Sequence, residues 1–171
     1  MAAHADDPTT GIALHGDEGE ARWFLDMLQV WKCSAETTDG RMTIIDHRAP
    51  HESATPLHVH HRDDEWFYIF EGEVTIWIGG TTTIAGPGDF VYAPKDVAHT
   101  NIVTSPDGAH FLVGFTPGSP EGADGFVRAA SHPAPSLDMP PADAEAPDPD
   151  ALTALAAEFG IEILGPPGIP A

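Results

Sequence analysis

The chain has 171 residues, with 7 Lys and Arg against 27 Asp and Glu, which gives a formal net charge of −20 at pH 7. This length suits a single domain, and a hydrophobic content of 42% is typical of a folded globular protein. So much negative charge repels phosphate backbones and anionic lipid headgroups, so we expect neither nucleic acid nor a membrane surface as a partner. Cys33 is the single cysteine, which excludes an intrachain disulfide and the class of secreted disulfide scaffolds.

The expected location is the cytoplasm. No stretch approaches the roughly 20 apolar residues that cross a bilayer. Residues 1–8 lack the basic and apolar parts of a signal peptide. The acidic excess suits either an ordinary charge-solubilised surface or a protein from a salt-rich cytoplasm, and composition does not separate the two.

The first two thirds of the sequence favour strands. Residues 1–20 are polar and glycine-rich and are expected to form a flexible lead-in. From Arg22 to Phe115 short β-rich runs alternate with turns, without a helical segment. Two of these runs, residues 65–70 and 74–78, are expected to pair as a hairpin. About eight or nine short strands at regular spacing predict an all-β antiparallel sandwich or jelly roll.

The composition changes after Phe126. Residues 129–150 are rich in Ala, Pro and Asp and are expected to form an extended linker. A short capped helix is predicted over residues 151–159, and it must dock on the barrel or on a second subunit because it is too short to be stable alone. The predicted organisation is therefore a lead-in at 1–20, a main domain at 21–128, a linker at 129–150, and a helix and tail at 151–171.

Four side chains of the β-rich region suggest a metal site. Residues two apart in a strand face the same side, so His58 and His60 project together. A tight turn through residues 62–64 is expected to bring the neighbouring strand back with Glu65 facing the two imidazoles. His99, at the end of a strand and a proline turn, supplies a fourth donor. Imidazoles and a carboxylate that converge inside a β-barrel are suited to a divalent metal.

The spacing of these residues resembles the two sequence motifs of the cupin family. The matching residues are His58, His60, Glu65 and Gly72 in the first motif, and Gly88, Pro94 and His99 in the second. Glu52 and Asp96 replace two glycines of the pattern, and Val103 replaces its closing Asn. The resemblance runs from about Thr43 to Phe115. The segments 56–72 and 164–167 are most similar to small single-domain cupins grouped with quercetin 2,3-dioxygenase-like proteins.

This resemblance implies a fold and a cofactor. The fold is an antiparallel double-sheet jelly-roll β-barrel, here followed by the linker and the short C-terminal helix. The cofactor is one divalent transition metal per chain (Fe, Mn, Ni or Zn), held by His58, His60, Glu65 and His99. We favour Glu65 over the adjacent Asp64 as the carboxylate ligand. Such a ligand set leaves positions open on the metal, as in catalytic sites.

The resemblance also implies a function. The best match is a dioxygenase that brings dioxygen to a flavonol-like or other enolisable aromatic molecule. Glu65 is then the catalytic residue, because the Glu ligand of such enzymes accepts the hydroxyl proton of the substrate. Two alternatives stay open: a metal-assisted polyketide cyclase or isomerase, and a non-catalytic small-molecule binding module.

The two faces of the Glu65 strand have different expected roles. Phe67 and Ile69 share the face of Glu65, and with Ile76 of the neighbouring strand they are expected to form the apolar wall of the substrate pocket. The opposite face carries three large aromatic side chains, those of Trp66, Tyr68 and Phe70, which predict a homodimer because they need cover.

The remaining histidines of the β-rich region are expected to have no part in the chemistry. His47, His51 and His110 lie on or near strands, and their expected role is structural. His61 points away from His60 along the strand and is expected to be solvated or to support a ligand.

Overall fold

The computed structural model describes residues 11–141 and 147–170. Its strands are β1 (Glu20–Phe24), β2 (Met27–Cys33), β3 (Thr43–Ala49), β4 (Pro56–His60), β5 (Asp64–Glu71), β6 (Val74–Ile78), β7 (Thr81–Ala85), β8 (Phe90–Ala93), β9 (His99–Val103), β10 (Ala109–Thr116), β11 (His132–Pro133) and β12 (Ile161–Pro167). Its helices are α1 (Ala35–Thr38), α2 (Ala123–Ala130) and α3 (Pro149–Glu158). The predicted lead-in and linker lie partly outside the described residues.

The strands form two antiparallel sheets. The seven-stranded sheet has the order β11-β1-β2-β3-β10-β5-β8, and the five-stranded sheet has the order β12-β4-β9-β6-β7. The predicted double-sheet jelly roll with a short C-terminal helix is confirmed. Within the described residues the two sheets stay separate and do not close into one hydrogen-bonded barrel.

The strand pairing differs from the predicted hairpins. β5 pairs with β8 and β10, whereas β6 pairs with β7 and β9 in the other sheet. The predicted hairpin of residues 65–70 with 74–78 is therefore wrong, and the turn at 62–64 likewise joins the two sheets. The turn after β5 needs Gly72, which has φ +78°, because a Cβ there would lie 2.3 Å from the carbonyl oxygen of Gly108.

The core lies between the two sheets and follows the period of the strands. Along β5 the side chains of Glu65, Phe67 and Ile69 are buried, and the alternate residues face outward. The largest fully buried apolar side chains are those of Phe111, Leu28, Ile45, Ile69 and Ile76. Each such side chain contributes about 1.5–3 kcal/mol through the hydrophobic effect, so this layer dominates the stability of the fold.

The helical and C-terminal segments partly correct the sequence interpretation. The predicted C-terminal helix is present as α3, where Asp148 accepts hydrogen bonds from the backbone of Asp150 and Ala151. Helices α1 and α2 were not predicted, and the expected tail forms strand β12 on the edge of the smaller sheet. Among the described helices, none is both long and apolar enough to span a membrane.

Buried carboxylates attach α2 to the sheets. Asp124 Oδ2 accepts hydrogen bonds from the Ala35 amide at 2.8 Å and from the Thr43 hydroxyl at 2.6 Å. Asp63 Oδ2 accepts from the Ala123 amide at 2.8 Å, next to the helix N-terminus that favours negative charge. A side chain at Gly122 would collide with this carboxylate, because its Cβ would lie 2.2 Å from Asp63 Oδ2. The helix is therefore held at both the turn before β5 and the start of β3.

Replacement of Asp124 by Ala should lower the free energy of unfolding by about 2–4 kcal/mol, because two buried donors lose their acceptor. Urea denaturation followed by fluorescence measures this change. Asp107→Ala is the matched control in an exposed turn and should change the stability by less than about 0.5 kcal/mol. Equal midpoints for the two variants would contradict the role given to Asp124.

Candidate metal centre

The four predicted ligands come from both sheets. His58 and His60 lie on β4, and His58 is directly opposite His99 on the neighbouring strand β9. Glu65 reaches the same point from β5 in the opposite sheet. The alternation of side chains along β4, β5 and β9 therefore directs these four residues into the space between the sheets. His60, Glu65 and His99 are buried there.

The ligand atoms of the four residues converge within 4.8 Å of one another. The Nε2 atoms of His58 and His60 are 3.0 Å apart, and His99 Nε2 is 2.8 Å from Glu65 Oε2. Glu65 Oε2 lies 4.0 Å from His58 Nε2 and 3.9 Å from His60 Nε2. The structure thus brings together the residues that the sequence singled out.

Backbone carbonyls orient two of the imidazoles. His58 Nδ1 lies 2.7 Å from the Pro56 oxygen, and His99 Nδ1 lies 2.9 Å from the Val97 oxygen. A carbonyl only accepts, so Nδ1 carries the proton and Nε2 is directed at the centre. His60 Nδ1 is buried and has no hydrogen-bond partner in the described chain.

This donor set fits a divalent transition metal. Donor atoms that share one ion at bond lengths of about 2.1 Å cannot lie more than roughly 4.2 Å apart. The observed separations of 2.8, 3.0, 3.9 and 4.0 Å are all below this limit. Three imidazoles and one carboxylate suit Fe, Mn, Ni or Zn. The His58, His60, Glu65 and His99 cluster could therefore hold a metal ion.

The electrostatics of the cluster favour bound positive charge. Burial lowers the pKa of His58 to about 4 and that of His60 to about 3, and in each case a neighbouring imidazole adds to the effect. Burial alone would raise the pKa of Glu65, but the hydrogen bond from His99 and the charges of the three imidazoles lower it to about 2. Burial alone would lower the pKa of His99. The hydrogen bond and the charge of Glu65 act in the opposite direction, and the pKa of His99 is raised. The ionised Glu65 carboxylate, beside His58 and His60 imidazoles that stay neutral at pH 7, therefore favours a bound cation.

The centre opens into an apolar cavity of about 70 Å³. Phe67 lines this cavity, but the predicted wall requires correction at Ile69 and Ile76, which are 0% and 1% exposed and pack in the core instead. Ile69 is four residues from Glu65, roughly 13 Å along the strand, so a shared face does not imply a shared depth. The apolar wall includes Phe24, Met27, Phe115, Phe126, Leu152 and Ile161.

Sequence reasoning missed part of the cavity. Phe126 of α2 and Leu152 of α3 come from segments outside the two motifs, and Gln29 and His47 line the cavity from β2 and β3. Gln29 is 0% exposed, and its side chain is on the same face of β2 as those of Met27 and Trp31. A polar residue at an inward position was the available sequence signal.

Two neighbouring polar residues lie outside the cluster. The exposed His61 ring contacts Asp96 Oδ1 at 2.8 Å and Glu162 Oε2 at 3.3 Å. Asp64 Oδ1 accepts a hydrogen bond from the Lys95 amide at 2.9 Å. The inward side of β5 therefore carries Glu65, whereas the side chain of Asp64 holds the turn before β9.

The two residues that stand in place of motif glycines keep a backbone conformation that glycine favours. Glu52 has φ 66° and Asp96 has φ 64°, in the left-handed region that is unfavourable for residues with a Cβ. The Asp96 amide donates to the His60 carbonyl at 2.8 Å, which ties the turn before His99 to β4. The departures from the motif therefore leave the turn geometry in place.

Comparison with known proteins agrees with this geometry. Residues 45–115 match the family model described as a cupin domain. Quercetin 2,3-dioxygenase of Bacillus subtilis is 28% identical over 94 residues, which cover 55% of this chain and 28% of that protein. The chain thus spans little more than a quarter of the length of this curated relative and resembles quercetinase-like cupins.

Solved structures support the fold. A predicted oxalate decarboxylase from Thermotoga maritima has a TM-score of 0.56 and 17% identity, covering 61% of this chain and 99% of its own. An RmlC-like cupin from Shewanella frigidimarina has a TM-score of 0.54 and 17% identity, covering 63% of this chain and 92% of its own. At this level of identity the likeness shows the fold alone.

Replacement of His60 by Ala should remove most of the bound metal, because the buried imidazole that coordinates the metal is lost. The loss of affinity should exceed the roughly 10–100-fold that removal of a merely orienting partner costs. Elemental analysis after dialysis against a known metal concentration measures it. His61→Ala is the adjacent control and should retain the metal, since its ring faces outward. Full occupancy of His60→Ala would contradict the ligand assignment.

Proposed function

We propose that the protein is a metal-dependent dioxygenase that acts on a flavonol-like or other enolisable aromatic small molecule. The observation that carries the proposal is the convergence of three imidazole nitrogens and the Glu65 carboxylate at an apolar cavity. His58, His60, Glu65 and His99 hold one divalent metal per chain. The metal, when bound, acidifies a coordinated hydroxyl and brings the organic substrate and dioxygen together.

Glu65 has the proton-accepting role in this proposal. Its Oε2 contacts His99, while Oε1 has no hydrogen-bond partner among the described residues. Its low pKa keeps the carboxylate ionised at physiological pH but makes it a weak base, so transfer of the hydroxyl proton to Glu65 depends on the metal making that hydroxyl more acidic. Because the site is buried, a proton accepted there is not exchanged at once with bulk water.

The apolar wall selects the substrate class. Phe115 stacks near His60 with ring centroids 5.7 Å apart, and Phe67 and Phe126 line the same space. Such surfaces bind flat aromatic molecules and keep water from the reacting atoms. The name of the curated relative, quercetin 2,3-dioxygenase, supports a flavonol-like substrate.

Substrate entry requires movement of the wall. A volume of about 70 Å³ holds about five water molecules, far less than an aromatic bicycle. An outer groove of about 800 Å³ shares Leu25, Pro56, Leu152 and Ile163 with the inner cavity. We place the substrate entrance at these shared side chains, because displacing Leu152 with α3 joins the two spaces.

Oxygen consumption tests the reaction. Protein reconstituted with Fe, Mn or Ni should consume oxygen with quercetin or a 1,3-diketone, and consumption should require both metal and substrate. A ring-closed product formed without oxygen would contradict the dioxygenase and support a metal-assisted polyketide cyclase or isomerase. Saturable binding without turnover would instead support a non-catalytic binding module.

Glu65→Gln should reduce the rate by about 10²–10⁴-fold, since the amide keeps an oxygen donor but loses the base. The oxygen-uptake rate is compared at equal metal content, measured on the same samples. Asp64→Asn, which alters the adjacent outward carboxylate, is the control and should retain the rate. Near-normal oxygen uptake by Glu65→Gln would show that Glu65 is a ligand alone.

We propose that a second copy of the chain covers the outer face of β5 and β8. Tyr68, Phe70, Phe90 and Tyr92 are 37–60% exposed there. Tyr68 pairs with Phe90 in register, so these rings form one patch. Because β8 is the last strand of its sheet, its free backbone edge can pair with the same edge of a two-fold related copy.

Phe90→Lys should convert this homodimer into a monomer, because a charge then enters the apolar contact. Size-exclusion chromatography with light scattering at micromolar concentration measures the mass. Ile84→Lys alters an equally exposed residue on the other sheet and should leave the dimer intact. A monomeric parent protein would refute the proposed dimer.

A further inference from the structure

A second polar pair lines the cavity and is separate from the metal centre. Gln29 on β2 and His47 on β3 are directly opposite each other in register. Their Nε2 atoms are 3.4 Å apart, and the two residues are 0% and 7% exposed. Buried polar side chains are costly unless they are satisfied, so their position in an apolar wall calls for a reason.

The hydrogen bonds determine which atom of His47 is available. The Trp31 indole, which only donates, points Nε1 at Gln29 Oε1 at 3.2 Å. The Gln29 amide nitrogen therefore faces His47 and donates to its Nε2, which places the ring proton on Nδ1. No described residue accepts a hydrogen bond from that Nδ1.

His47 is a neutral donor at physiological pH. Burial lowers the pKa of its ring to about 4, although the charge of Glu65 acts in the opposite direction. His47 lines the cavity, and no hydrogen-bond partner of its Nδ1 is found among the described residues.

The other polar pair of the cavity wall, Thr55 and Asn101, is bonded within itself. The Thr55 hydroxyl donates to Asn101 Oδ1 at 2.9 Å and accepts from the Asn101 backbone N–H at 3.2 Å. These bonds tie the segment before β4 to β9. Asn101 is only two residues from His99 on β9, so His47 is the polar group of the wall that lies away from the metal end.

The strand register places His47 far from the metal end of the cavity. Glu65 is opposite Phe115, and Phe115 is opposite Thr43 at the start of β3. His47 lies four residues further along β3, roughly 13 Å in the strand direction. The backbone of His47 is therefore offset along the strands from the metal end of the cavity that both line.

We propose that Gln29 and His47 form a distal recognition site for the substrate, in which His47 Nδ1 donates to a carbonyl or hydroxyl oxygen remote from the metal-binding enol. This inference rests on the proposed function for the metal-bound end. Gln29 is a positioning residue, because it sets the His47 tautomer and does not touch the ligand oxygen. The preferred substrate is a flat molecule with oxygen atoms at both ends, which enters after the movement of the wall described above.

Binding to the zinc-loaded protein tests the inference without turnover. The probes are 3-hydroxyflavone and its 3,7- and 3,4′-dihydroxy derivatives, which add an oxygen at the far end. At least one derivative should bind about 5–30-fold more tightly than 3-hydroxyflavone, because a buried donor gains its partner. His47→Leu should abolish this preference. His47→Asn, whose Nδ2 replaces Nδ1, should retain part of it, and the exposed control His51→Leu should retain it fully.

The outcomes separate this inference from the proposed function. A purely structural role of His47 would weaken all probes equally, and that result would overturn the inference while the metal-bound end stands. Absence of any preference in the parent protein would also overturn it alone. Absence of binding by every probe would overturn both the inference and the flavonol-like substrate class. Nitrogen NMR of the parent protein should show the Nδ1–H tautomer of His47, and an Nε2–H tautomer would contradict the assignment.

Discussion

The contact of Glu65 with His99 across the space between the two sheets is the constraint on which the site depends. A carboxylate that is 8% exposed would be strongly unfavourable without compensating charge and hydrogen bonds. The nearest compensation is His99 at 2.8 Å, with His58 and His60 beside it. The inner faces of both sheets must therefore stay in register, since a one-residue slip of β5 would turn Glu65 outward.

The rest of the architecture serves to keep this charged centre in an apolar, closed space. Helix α2 is attached by Asp63 and Asp124 and carries Phe126 to the cavity. Helix α3 packs against α2 through Phe159 and Phe126, whose ring centroids are 6.5 Å apart, and it carries Leu152 to the same wall. Elements that lie outside the cupin motifs thus contribute apolar side chains to the wall of the cavity. The low local dielectric strengthens each charge interaction at the centre.

A cupin fold by itself hosts many chemistries, so the specificity must come from the wall of the cavity. The motif residues supply a metal-binding set that cupins of different function can share. Gln29, His47 and the α2 and α3 side chains line this cavity in addition to the motif residues. In the proposed function, these side chains select the substrate by its shape and polarity.

Strand periodicity and helix-capping patterns in the sequence predicted much of the local structure of this protein. The alternation of β5 predicted that Glu65 faces inward and that Tyr68 faces outward, and the capped pattern around residues 151–159 predicted helix α3. Periodicity assigns a face to a residue, but it assigns neither a pairing partner nor a depth. Only the tertiary structure placed β5 and β6 in different sheets and brought Gln29 opposite His47. Those pairings depend on hydrogen bonds between segments remote in sequence, and no local pattern encodes which remote strand will supply them.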